Sequence, residues 1–357
     1  MRPSFVDAFA FPVLLADIGG TNARFAVVDD PTAPFRDLGR TATADHPDPI
    51  AAIEAYVLPR LDTPPRSAIL AVAAPIEGET IAFTNADWVL EPARLRAVLG
   101  LDTVVVINDF EAQALALPHL SGDDLVPIGG GERRPDATMA VIGPGTGLGV
   151  GLLVHARGTW IPVPGEGGHV DFAPEGAREA AIVAAVSRAE VDRGGDARVS
   201  VETLLAGPGL ARLHRAILEI DGLPARDLDP AGVTAAYEAG EPAAVETMAI
   251  FARALGRVAG NVALMSLPHG GVFLAGGIPP RLLPLLAEGG FRAGFENKWP
   301  YRAMMARFAT AVVVHPLPAF VGLAAFAKSP RNHAVALSGR TWTAAGRHVE
   351  VLGTEVS

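Results

Sequence analysis

The stretch Ala16-Asp17-Ile18-Gly19-Gly20-Thr21-Asn22-Ala23-Arg24 decides the fold. An apolar run, Phe11 to Leu15, precedes it and reads as a buried strand. A second run, Phe25 to Val28, follows it. Two strands closing on Gly19-Gly20 make a β-hairpin with a tight turn. Glycines in that turn let bare backbone N–H groups approach an anion. Thr21 and Asn22 add side-chain donors beside it. Asp17, at the end of the first strand, repels a phosphate unless a cation lies between them. Carboxylate, glycine turn and hydroxyl together point to a metal–nucleotide site. A Walker-type loop is excluded, because it needs a Lys and opens a helix. An ordinary glycine hairpin explains Gly19-Gly20 alone; the whole stretch favours the phosphate site.

The same form returns roughly 125 residues later. Thr138 to Ile142 reads as a strand, Gly143-Pro144-Gly145-Thr146-Gly147-Leu148-Gly149 as a turn, and Val150 to His155 as the next strand. Two phosphate-gripping hairpins fit a bilobal nucleotide clamp better than a Rossmann fold, whose glycines lie between a strand and a helix. Between them, Ser67 to Pro75 and Thr80 to Thr84 read as strands and Glu91 to Gly100 as a helix. Val104 to Ile107 is a β-branched run typical of a buried parallel strand. From Ala177 the chain is mostly helical. Val245, Met248, Ala249, Ala252, Leu255, Ala259 and Val262 give the segment Glu241 to Met265 one apolar face. Gly256 and Gly260, on a neighbouring face, let another element approach closely. Gly271 to Leu274 is a strand. Pro279-Pro280 marks a helix start, Val312 to Val314 a last strand and Ala319 to Lys328 a last helix. Residues 331 to 357 form a polar, partly strand-like tail with no identifiable chemistry.

Several side chains sit where chemistry is possible. Asn108-Asp109 follows a buried strand, and α/β sheets bind ligands beyond the carboxyl ends of strands. Asp109 is placed to accept a proton from a substrate hydroxyl; a helix N-cap is the competing reading. Gly165-Glu166-Gly167-Gly168-His169 holds two polar groups among glycines. A metal pair is one reading. With no cysteine and no second His nearby, hydrogen bonding to a polyol is preferred. Glu202 is a further acceptor or simply a favourable charge in a first helical turn. Thr84-Asn85 reads as a turn. Gly276-Gly277 lets an adenine ring lie on bare backbone or makes a tight turn.

Composition narrows the classes. Across 357 residues, half are hydrophobic and 19% charged, enough for two domains with a substantial core. A formal net charge of −10 with no basic cluster beyond Arg133-Arg134 argues against nucleic acid. Zero cysteines exclude disulfides and zinc–thiolate sites and fit a reducing cytoplasm. No apolar run reaches the ~18 residues of a membrane span. The apolar stretch Ala8 to Ile18 is not a signal peptide, since cleavage there destroys the hairpin.

The motifs ADIGGTNAR, FTNADW, INDFEA, GPGTGLGV, PGEGGHVDF, VETLLAGPGL and AGGI occur in order over about residues 11 to 328. Together they resemble the bacterial glucokinases of the hexokinase-like group, in the actin, heat-shock chaperone and sugar kinase superfamily. The resemblance implies an α/β, two-domain, ribonuclease-H-like (actin-like ATPase) fold with an interdomain cleft. Residues 1–119 and 315–330 would form the small domain and 120–314 the large one, with 331–357 left as a tail. It implies phosphoryl transfer from MgATP to the 6-hydroxyl of glucose, with Asp109 as base. Ala16, Asp17, Ile18, Gly19, Gly20 and Thr21 match the first phosphate loop, with Asp17 near the magnesium, held through water. Gly145, Thr146 and Gly147 match the second loop; Gly276 and Gly277 fall where adenosine is held. Asn108, Glu166, His169 and Glu202 match glucose contacts, and Asn85 a further one. Glucose is the expected partner, with no nucleic acid, membrane or zinc, and a homodimer stays open. The related repressor-type sugar kinases usually add a cysteine-rich zinc motif and, in the repressors, an N-terminal DNA-binding domain. Both are missing here, which sets the chain with the glucokinase branch. A kinase for another hexose or amino sugar, an actin- or chaperone-like ATPase and a sugar-binding regulator are the alternatives.

Overall fold

The computed structural model describes residues 6–83 and 87–344. It is a mixed α/β structure with two six-stranded sheets and helices. In chain order the first strands are β1 (Val13–Ile18), β2 (Asn22–Val28), β3 (Arg36–Ala42), β4 (Ser67–Val72), the short β5 (Ile81–Ala82) and β6 (Val89–Leu90), and β7 (Thr103–Asn108). There follow β8 (Leu125–Gly129), β9 (Met139–Pro144), β10 (Leu148–Ala156), β11 (Thr159–Gly165), β12 (Gly271–Leu274), β13 (Thr310–Val313) and β14 (Thr341–Thr343). One sheet runs β14-β7-β4-β1-β2-β3, the other β11-β10-β9-β12-β13-β8. The chain divides into two units: residues 1–121, 153–164 and 315–357, and residues 122–152 and 165–314.

In the first unit, β1 and β2 pair antiparallel with Asp17 opposite Arg24. The Gly19 N–H donates to the Asn22 carbonyl at 3.0 Å, which closes the hairpin on Gly20-Thr21, one residue later than the Gly19-Gly20 turn the sequence suggested. β1, β4 and β7 are parallel. All six residues of β4 are buried, as are Val104 to Ile107 of β7, which is why these strands read as apolar runs rather than alternating ones. The helix Pro318–Lys328 packs on the helix Asp109–Ala116. A Cβ on Gly322 would lie 2.1 Å from the Ala112 carbonyl oxygen, so the contact requires glycine.

In the second unit, β12 is parallel to β9 and β13, and β13 is antiparallel to the edge strand β8. The helix Pro242–Ser266 spans the core, with Met248, Phe251, Ala252, Leu255, Ala259 and Val262 buried. It is long and apolar enough by composition to cross a membrane; here that apolar face is packed inside the unit. Gly256 and Gly260 admit the helix Gly290–Glu296. A Cβ at Gly256 would lie 1.9 Å from the Phe291 carbonyl oxygen.

One expectation is corrected. Pro279-Pro280 does not open a helix: Arg281 and Leu282 donate back to the Ile278 carbonyl in a turn, and the helix begins at Leu283. The partly strand-like character expected past residue 330 is β14, which adds to the first sheet by pairing antiparallel with β7.

Candidate active site

At the first hairpin, the turn is braced from β3's end. The Thr43 N–H donates to the Thr21 carbonyl at 3.0 Å, and the buried Thr43 hydroxyl donates to the Gly20 carbonyl at 3.0 Å. Arg24 Nη1 donates to Asp17 Oδ2 at 3.2 Å. Burial raises the Asp17 carboxyl above its ordinary value, and the Arg24 guanidinium opposes that rise. The sequence suggested a cation beside Asp17. Arg24 is one, supplied by the register of the hairpin itself.

At the end of β7, Asn108 rather than Asp109 is the helix N-cap. The Asn108 side-chain oxygen accepts from the Phe110 N–H at 2.8 Å, and Glu111 completes a capping box. Asp109 is the first helical residue and half-buried; its Oδ1 accepts from its neighbour Phe110 at 3.0 Å. The cap role that competed for Asp109 is therefore filled one residue earlier.

The second unit brings three of the sequence motifs together. Glu202 is not merely a first-turn charge on the helix Val201–Leu205, whose cap is Ser200. Its Oε2 accepts from the Leu148 N–H at 2.8 Å, in the second glycine turn. A Cβ on Gly147 would lie 2.5 Å from that same oxygen. The Gly207 N–H donates to the Gly145 carbonyl at 2.8 Å, and the Gly145 N–H to the Gly147 carbonyl at 2.8 Å. The Glu166–His169 loop packs on the same turn: a Cβ on Gly168 would lie 2.1 Å from the Leu148 carbonyl oxygen. His169 lies between two carboxylates, with Nδ1 4.0 Å from Glu202 Oε1 and Nε2 3.9 Å from Glu166 Oε2. Both gaps exceed a direct hydrogen bond. Glu166 and His169 are exposed, so their polar edges face solvent. Gly276, at φ +85°, and Gly277 follow β12, and the Ile278 N–H approaches the Pro144 carbonyl at 3.4 Å. They are therefore at the same strand ends as Gly145 to Gly147. Asn85 lies outside the described residues.

A model of the glucokinase family matches residues 14–330, most of the chain. The chain belongs to the glucokinase family. A glucokinase of Sinorhizobium fredii is 48% identical over 342 residues, 95% of this chain and 99% of that one. The crystal structure of a glucokinase from an Antarctic psychrotroph superposes with a TM-score of 0.77 at 32% identity, covering 88% of this chain and 98% of that one. The glucokinase of Balamuthia mandrillaris, solved with glucose, shares the fold at 22% identity, with a TM-score of 0.74 over 88% of this chain and 93% of that one.

Membership in a glucokinase family raises the question of magnesium. Mg²⁺ usually keeps several waters and takes one or two carboxylates plus substrate phosphates. Among the described residues, no group of three or more acidic or His side chains is built to cage an ion. Asp17 fits the sparser mode: it is a hard oxygen donor whose burial is relieved by positive charge.

Sequence reasoning missed Thr43, Arg24 and the link from Glu202 to Leu148. Thr43 carried no motif. Arg24 escaped because a turn at Gly19-Gly20 would set Asp17 opposite Asn22, whereas the hairpin turns one residue later and sets it opposite Arg24. The Glu202 link spans 54 positions and left no local signal.

Proposed function

We propose that this enzyme of the glucokinase family transfers the γ-phosphoryl group of ATP to the 6-hydroxyl of glucose, giving glucose 6-phosphate and ADP at the head of glucose catabolism in the cytoplasm. Asp109 takes the proton of the sugar hydroxyl as that oxygen forms its bond to the γ-phosphorus. The bond from phosphorus to the β–γ bridging oxygen breaks, and the electron pair leaves with ADP. Asn108, Glu166, His169 and Glu202 hold the sugar hydroxyls. The Gly19 and Gly145 N–H groups close their own turns, so the backbone of Gly20-Thr21 and of Thr146-Gly147 donates to the phosphates, and Gly276-Gly277 receives the adenosine. Asp17 would hold magnesium through water; the ion, when bound, offsets charge on the transferring phosphate. The finer fold reading is two ribonuclease-H-like lobes of the actin type.

The observation that carries this reading is the division of labour at the end of β7. Asn108 satisfies the helix start, and the adjacent carboxylate of Asp109 is kept at the carboxyl end of a parallel strand. Hexose phosphate formation, quantified across hexoses and phosphoryl donors, tests it, with ADP release read alongside for ATP. Turnover with glucose and ATP well above that with mannose, amino sugars, ADP or polyphosphate is expected. ADP release at the same rate without sugar would leave only an ATPase.

A further inference from the structure

The segment past residue 330 lies beyond the match to the glucokinase family, and nothing in the proposed chemistry uses it. Within the described residues, up to 344, its backbone is nevertheless tied to the first sheet. β14 pairs with β7, with Thr341 opposite Val105. The Val106 N–H donates to the Arg340 carbonyl at 3.0 Å, and the Arg340 N–H donates to the Leu337 carbonyl at 3.0 Å. So held, Arg340 directs Nη1 onto Glu111 Oε2 at 2.7 Å.

Glu111 is the third residue of the helix that Asp109 opens. Its side chain is fully buried, with 0% exposure, and that of Arg340 is 22% exposed. Oε2 also accepts from the Asn108 N–H at 2.9 Å. One carboxylate oxygen therefore joins the backbone just before Asp109 to a guanidinium from the far end of the chain. Oε1 is buried with no hydrogen-bond partner among the described residues. Burial pushes the Glu111 carboxyl up, and Arg340 is the charge that opposes it. Without Arg340 the carboxylate loses its counter-charge while its side chain stays fully buried, and the favoured response is to take a proton or to move. Either response alters the acceptor that holds the Asn108 N–H. The same helix is also held closely at the Ala112 carbonyl by Gly322.

We propose that Arg340 is a positioning residue for phosphoryl transfer, acting through Glu111 to fix the Asn108–Asp109 helix start. The strand past residue 330 is then part of the catalytic apparatus. This rests on the reading of Asp109 as base.

The test compares Arg340→Met with the double variant Arg340→Met/Glu111→Gln, each assayed well below its unfolding temperature. The single variant leaves a buried carboxylate without its counter-charge. The double variant removes the charge and keeps an oxygen for the Asn108 N–H. A misplacement on the ångström scale at a reacting group costs up to about 100-fold in rate, so kcat of the single variant is expected to fall by about 10- to 100-fold. The double variant should recover to within about 3- to 10-fold of wild type, with KM for ATP within about twofold in both. A folded single variant with kcat within about twofold of wild type overturns the proposal. So does a double variant no faster than the single one, or a loss matched by an equal rise in KM for ATP. Should the single variant fail to fold, the double variant decides: a loss of about 3- to 10-fold with KM for ATP unchanged upholds the proposal, and a kcat within about twofold of wild type, or a loss well beyond about 10-fold, overturns it. Asp109→Asn, measured alongside, separates the two ideas. Turnover retained there sinks the base, whereas turnover retained at Arg340→Met sinks only the positioning role.

Discussion

Gly147→Ala tests whether Glu202 shapes the second glycine turn. The new Cβ would stand 2.5 Å from Glu202 Oε2, where ordinary contact starts at 3.4 Å. The carboxylate must retreat by about 0.9 Å, the difference of those two distances. Because residues 147 and 148 are adjacent, retreat from one is retreat from the other. The Leu148 N–H···Oε2 distance then grows from 2.8 Å to about 3.7 Å, beyond a hydrogen bond. A bond to a charged acceptor contributes about 1.5–3 kcal/mol. At about 1.4 kcal/mol per decade, kcat/KM should fall roughly 12- to 140-fold. The assay is coupled ADP release with glucose and ATP varied separately, repeated in a Glu202→Ala background. There the obstructing oxygen is gone, so the same substitution should cost no more than about threefold. An equal loss in both backgrounds would refute the reasoning, because the damage would then not pass through Glu202.

Three further outcomes follow from the geometry. Asp109→Asn should bind glucose nearly normally, by calorimetric titration, while turnover falls by about 10²–10⁴-fold; retention of a third or more of wild-type turnover contradicts the base assignment. His169→Ala should raise KM for glucose far more than KM for ATP, and an effect confined to ATP removes His169 from the sugar site. Burial raises the Asp17 carboxyl above its ordinary 3.8, so the native state holds that proton more tightly than the unfolded chain. Its contribution to stability is complete below about pH 3.8 and is lost as pH rises through the folded value. Urea unfolding of Asp17→Asn should therefore show a flatter pH dependence than wild type from pH ~4 upward, and parallel curves contradict the linkage.

The elements legible in the sequence are those whose signal is local. The first hairpin needed only two apolar runs around Gly19-Gly20. The helix Pro242–Ser266 announced itself by apolar spacing of three and four, and its glycines by their place beside that face. What escaped were sheet edges. β3, RDLGRTA, buries only Leu38, so it shows no alternation to read. β8 carries Pro127, which an edge strand tolerates because one side of its backbone needs no partner. β14 has three residues, none of them buried, and exists because β7 offers it an open edge. Pro279-Pro280 misled for a related reason: proline suits a first helical turn but equally suits a tight turn held by Ile278. At the site, residue types were readable but their mutual supports were not. Glu111 looked like any first-turn acid until Arg340 came to it.

Glu111 and Arg340 are 229 positions apart, and that separation has a meaning in time. At about 5–20 residues per second, the ribosome makes Arg340 roughly 11–46 s after Glu111. During that interval β7 has an open edge, and the helix bearing Asp109 lacks both Gly322's helix and its buried counter-charge. The second unit, whose residues are all made by position 314, can finish first. The unit begun earliest is completed last. A chain that stopped just short of residue 340 would contain every residue proposed to touch glucose or ATP, and would still be released with Glu111 lacking its counter-charge.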